Sequence, residues 1–187
     1  MDSAEQDPDR VAVLEAFADT IVPGAKRSPE DRAIAGVVDD GGAVEAGAVA
    51  LLEDPAGGLL PALDIAVAEL NDYATEYARE NGLTLDDDVP PFVALPFADR
   101  TALVAHLCAP DHPEKQMWVG LALFSNMAYD SAAHISTTEA LASGHPGLLG
   151  IGFASPDADG LWRFSRFSYG RQLADLHPDT TTTGSPA

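Results

Sequence analysis

Basic residues are scarce in this sequence. Lysine and arginine number 10 against 30 aspartates and glutamates, a formal net charge of −20 over 187 residues. A surface of that sign repels phosphate backbones and anionic lipid, which argues against nucleic acid as a partner. Two readings of the acid remain: solvated surface, as in a protein adapted to salt, or a docking face for a basic partner. Cysteine is nearly absent. Cys108 stands alone, so it forms no intrachain disulfide and no metal site by itself. No apolar run reaches the roughly 18 residues of a membrane-spanning helix. The start, "MDSAEQDPDR", has neither the basic residues nor the apolar run of an export signal. The expected location is cytoplasmic, unless the chain is exported with a signal-bearing partner. Aromatics make up only 7%, and β-branched alternation is missing, which argues against a mostly β fold.

What is present is alanine, leucine and helix punctuation. The 46% hydrophobic content suffices for one sizeable core. Asp7 before Pro8 reads as a helix start, because proline fits the first turn. Val11, Leu14, Phe17, Ala18 and Ile21 follow the helical period. Pro23 and Gly24 then stop the helix. Ser28–Asp31, "SPED", predicts a short second helix with a capping-box pattern. Ala43–Leu52 predicts another, broken by "EDPAGG". Leu59 to Gly82 is the clearest helix, with Leu63, Ala66, Leu70, Tyr73 and Tyr77 along one side. Residues 83–95 read as an irregular acidic connection over the surface. Pro96 opens a further helix through Cys108. Residues 116–135 are so apolar that they predict a helix at the bundle centre.

After Gly144 glycine, proline and aromatics dominate. That stretch reads as an ordered loop wrapping the helices, pinned by Phe153, Trp162, Phe164, Phe167 and Tyr169. The expected architecture is all-α: a single-domain bundle of five or six helices with an irregular, aromatic-rich C-terminal wrap. Its expected limits are a frayed 1–7, a helical domain over 8–176 and a polar tail over 177–187.

Self-sufficient chemistry is hard to find. His106, His112, His134, His145 and His177 form no HExxH or HxxxH pair. No GxSxG elbow is present. "GLLGIGFAS" matches no phosphate-binding loop. No metal or cofactor is therefore expected in this chain. The best acid–base candidates are Asp130 and His134, four apart on the expected 116–135 helix, with His106 and Tyr169 as further members of an alternative catalytic set. Trp162, Phe164, Phe167 and Tyr169 interleave with Arg163 and Arg166. Aromatics with arginine are the composition of interface hot spots, and these six residues are the expected partner-binding set.

Two segments have a recognisable form. "ADTIVPG" (Ala18–Gly24) and "GAVEAGAVALLED" (Gly42–Asp54) resemble the opening of the gluconate 2-dehydrogenase subunit 3 family. "LPFADRTALVAHL" (95–107) is similar to that family's "R..L...L" helix, and 147–162 is similar to its glycine-rich end with a tryptophan. No twin-arginine leader like that of many members is expected here, and "HPGLLG" stands where a "YGGN"-like loop is usual. The resemblance implies a small accessory subunit without catalytic residues. It also implies a large flavoprotein partner, an alcohol or sugar dehydrogenase of the glucose–methanol–choline type that holds FAD. The alternatives are a self-sufficient α-helical lyase, cyclase or hydrolase using the Asp/His pair, and an unrelated helical interaction domain.

Overall fold

The first helix begins where its cap dictates. The carboxylate of Asp7 accepts the N–H of Asp9, and α1 runs over Pro8–Ile21. A computed structural model describes residues 7–153. Five helices of seven residues or more form the framework of those residues: α1, α3 (Leu60–Asn81), α5 (Phe97–Leu107), α6 (Lys115–Ser131) and α7 (Thr137–Ser143). Shorter pieces join them: α2 (Ala48–Leu52), a 3₁₀ turn at Pro55–Gly57, α4 (Pro91–Ala94) and α8 (Pro146–Gly150). Over the described residues the architecture is an all-α, single-domain bundle. The C-terminal wrap expected through Trp162, Phe164, Phe167 and Tyr169, and the limit at 176, lie outside the described residues.

An aromatic cluster centres the bundle, and it comes from the N-terminal and middle helices. Phe17 of α1 lies 6.4 Å from Phe92 and 6.4 Å from Trp118, and Tyr73 sits edge-on to Trp118 at 6.1 Å. Phe17, Phe92 and Trp118 have no exposed surface. Leu14, Leu63, Leu70, Leu103 and Leu107 fill the space around them. Removing a large side chain from such a centre costs about 3–5 kcal/mol.

Several expected elements differ. Ser28–Asp31 is a turn, not a helix: Asp31 accepts from the Arg27 side chain and from the N–H of Ile34, so it is not free to close a capping box. The helix expected over Ala43–Leu52 occupies only Ala48–Leu52. Gly47 has φ 90°, a left-handed conformation that interrupts helical bonding there. Within 83–95, Phe92, Val93 and Leu95 are core residues on and beside α4. The N–H of Phe92 is taken by the Asn71 side chain of α3, which fixes this short helix to its neighbour. Residues 146–150, expected as loop, form α8.

The helix expected over 116–135 is also corrected. α6 stops at Ser131, and Ala132 takes a left-handed φ of 50°. It is not buried all round. Trp118, Leu121, Ser125 and Ala128 face the core, while Val119 and Leu123 stay 40% and 53% exposed. α7 follows with a complete capping box between Ser136 and Glu139.

Candidate functional site

The "ADTIVPG" segment has a specific structural role. Asp19, near the end of α1, is fully buried. Its carboxylate reaches past the helix end and accepts the N–H of Gly24 at 3.0 Å and of Ala35 at 2.9 Å. One side chain thus holds both ends of the connection that follows α1. Buried charge needs compensation. Arg100 of α5 supplies it, with a guanidinium nitrogen 3.8 Å from Asp19. That is an ion pair without a direct hydrogen bond. Arg100 donates instead to the carbonyl of Ala33 at 2.8 Å. Burial works against the charge on Arg100, and Asp19 opposes that effect.

The "GAVEAG" segment docks at the same place. Ala43 donates to the carbonyl of Val22 and Ala25 to that of Asp40, at 3.0 and 2.9 Å. The two backbones nearly touch. A Cβ on Gly42 would lie 2.5 Å from the carbonyl carbon of Pro23, and one on Gly24 would lie 2.8 Å from the Gly42 nitrogen. Both glycines are therefore required by packing. The void left beside Asp19, Gly24 and Gly42 measures about 10 Å³, room for about one water. This junction is built to hold backbone together and has no space for a substrate.

Asp130 and His134 do not share one helix as expected, because α6 ends between the two residues. Asp130 accepts from Asn126 at 2.8 Å. His134 leaves the helix and packs its ring on the backbone of Gly47, where a Cβ would collide with Nε2. Its neighbour is His145, with ring centroids 6.3 Å apart. His145 is buried; its Nδ1 accepts the N–H of Leu148, and Nε2 faces the carbonyl of Ala46 at 3.1 Å. Burial lowers the pKa of His134, His145 adds to the effect and Asp54 opposes it. Its Nδ1 is buried without a hydrogen bond among the described residues.

His106 is exposed on α5, away from that pair in sequence and packed edge-on to His112 at 5.7 Å. His112 in turn meets Tyr73 at 5.6 Å. Tyr73 donates to Glu114 at 2.9 Å. Burial, then that hydrogen bond, raises the pKa of Tyr73. Glu69, one turn before Tyr73 on α3, is raised by burial, then by Glu114 and Asp72. Its Oε2 is buried with no hydrogen-bond partner among the described residues. The sequence reading missed this group, as it missed Asp19 and Arg100. Its one visible signal is the four-residue step from Glu69 to Tyr73. Tyr169 and the set Trp162, Arg163, Phe164, Arg166 and Phe167 lie outside the described residues. Among the described residues, no three His, Cys, Asp or Glu side chains gather closely enough to hold a metal ion, and no helix is long and apolar enough to cross a membrane.

The chain belongs to a family of unknown function, DUF5987, whose model matches residues 8–187. No curated protein and no solved structure matches it.

Proposed function

We propose that this chain is the small, non-catalytic subunit of a flavin-dependent alcohol or sugar dehydrogenase of the glucose–methanol–choline type. On this reading it binds and stabilises a larger subunit, which holds FAD and performs the hydride chemistry. One observation carries the reading. Three of the four segments that give the resemblance, Ala18–Gly24, Gly42–Asp54 and 95–107, are distant in sequence and meet at one junction. Asp19, Gly24, Gly42 and Arg100 are the residues in contact there, and Leu103 and Leu107 of the "R..L...L" helix are core residues. That these three segments serve one junction supports reading them as one structural unit, as the resemblance implies. Trp162, Arg163, Phe164, Arg166, Phe167 and Tyr169 are the proposed partner contacts, on their composition.

The test is co-purification of the tagged full-length chain from its native extract, followed by an absorption spectrum. A larger polypeptide carrying a flavin band supports the reading. A colourless chain recovered alone counts against it.

A second reading, an enzyme in its own right, draws on a different group. Glu69, Tyr73 and Glu114 pair two carboxylates around a tyrosine, an arrangement in which one carboxyl can stay protonated. Titration of Glu69 followed by carboxyl-carbon NMR checks it. A Glu69 that titrates in the ordinary carboxylate range removes the basis for this reading.

A further inference from the structure

An open groove of about 540 Å³ lies between the last turns of α3 and the chain at 83–91. Ala78, Leu83, Leu85 and Val89 give it an aliphatic lining. Leu83, Leu85 and Val89 are half-buried and pack against the core, so the groove is held in shape by the bundle. Gly82, with φ 67°, turns the chain out of α3 and into the irregular segment that forms the other side of the groove.

The charges around it are one-sided. Glu76, Glu80, Asp86, Asp87 and Asp88 stand in this stretch. The nearby cations are already engaged: Arg79 pairs with Glu76, and Arg32 pairs with Asp86 at 2.7 Å. Asp87, which lines the groove, has no ion-pair partner among the described residues. The arginines elsewhere in the described residues are likewise committed: Arg10 to Glu53 and Asp64, Arg27 to Glu15 and Asp31, and Arg100 to Asp19. None of these arginines neutralises Asp87, so a basic occupant complements the charge of the groove.

We propose that this groove docks an extended segment of another protein, with aliphatic side chains next to lysine or arginine. The aliphatic lining takes the apolar side chains, and Asp87 and its acidic neighbours take the basic ones. An open groove leaves much of a small ligand in water, whereas small-molecule sites bury most of theirs. An extended segment spans such a groove and gains from each side chain in turn. The inference does not depend on the dehydrogenase reading and uses different residues from the Trp162–Tyr169 set.

The test is an NMR titration of the isotope-labelled full chain with the acetylated, amidated peptide LKLRL. The peptides LELEL and GKGRG serve as controls, together with hexylamine. The expected result is saturable shifts of amides within 75–91 with LKLRL alone. Thr84→Arg and Asp87→Lys alter exposed groove residues. Each weakens LKLRL binding about 3–10-fold, the range for charge placed at an exposed rim. Absence of saturable shifts overturns the proposal, as does equal binding of either control peptide. Hexylamine binding as tightly as LKLRL assigns the groove to a small organic cation instead. Shifts in 75–91 that depend on protein concentration alone assign it to a second copy of the chain. Either result also overturns the proposal.

Discussion

The carboxylate of Asp19 and the guanidinium of Arg100 lie 3.8 Å apart, both enclosed by protein. Asp19 also holds two backbone N–H groups, whereas Arg100 donates one hydrogen bond, to the carbonyl of Ala33, lies over the Phe97 ring at 5.9 Å and leaves its Nε unbonded. The two partners therefore depend on each other unequally. Asp19→Ala strands a buried cation and frees two N–H groups, and is expected to cost about 3–5 kcal/mol. Arg100→Leu leaves Asp19 with its two donors and costs less. The double variant loses less than the sum of the singles by about 1–3 kcal/mol. Urea denaturation of the four proteins checks the cycle. Additive losses would mean that the ion pair contributes nothing.

Gly42→Ala should destabilise by about 1–3 kcal/mol, the cost of forcing a methyl into filled space. The new Cβ meets Pro23 backbone at 2.5 Å, and backbone cannot rotate away as a side chain can. Gly58→Ala is the contrast: Gly58 has positive φ, which Gly42 does not, and a Cβ there meets nothing within 4 Å. Its loss reports conformational strain alone, so a thermal melt of both separates strain from contact.

His134 is expected to make the fold acid-sensitive. Its pKa is lowered by burial and by His145, against Asp54. The unfolded chain, with an ordinary histidine near about 6.5, binds the proton more readily. Stability therefore rises with pH through that window. It is fully present above about 6.5 and is lost as pH falls through the folded value. His134→Gln should flatten the dependence on that side. Urea midpoints above and below about pH 6.5 read the effect; an unchanged slope in the variant would assign it to other groups.

Glu69 has the opposite sign. Its pKa is raised by burial, then by Glu114 and Asp72, so the folded chain holds that proton more tightly than the unfolded one. Its contribution is present below the ordinary carboxylate range and lost as pH rises through the folded value. At neutral pH, Glu69→Gln should raise the melting temperature. In acid, where both states are protonated, wild type and variant should converge.

Trp162→Ala should weaken binding of the proposed large subunit far more than it destabilises the lone chain. Calorimetry of the isolated variant and its co-purification yield separate the two effects. Equal stability loss with unchanged binding would assign Trp162 to the chain's own packing.

The elements legible in the sequence are those whose ends are coded locally. Asp7–Pro8 starts α1, Pro96 starts α5 and Gly82 ends α3, each through a residue with one strong conformational preference. The misread elements depend on tertiary partners. Nothing about Ala132 signals a left-handed residue, so the end of α6 and the separation of Asp130 from His134 were not visible. α4 exists because Phe92 packs on Phe17 and is held by Asn71, neither of them a neighbour in sequence. Asp31 looked like the acid of a capping box. Arg27, drawn also to Glu15 of α1, takes its carboxylate instead. The Asp19–Arg100 junction left one faint trace, a charged residue on the apolar side of each of two helices.

The most direct test of the central reading is size-exclusion chromatography of the natively purified chain, with absorbance followed in the flavin band. The subunit reading predicts one peak well above the 19.5 kDa of this chain, carrying flavin absorption and a second polypeptide several times longer. A colourless peak at the mass of the chain alone would contradict it.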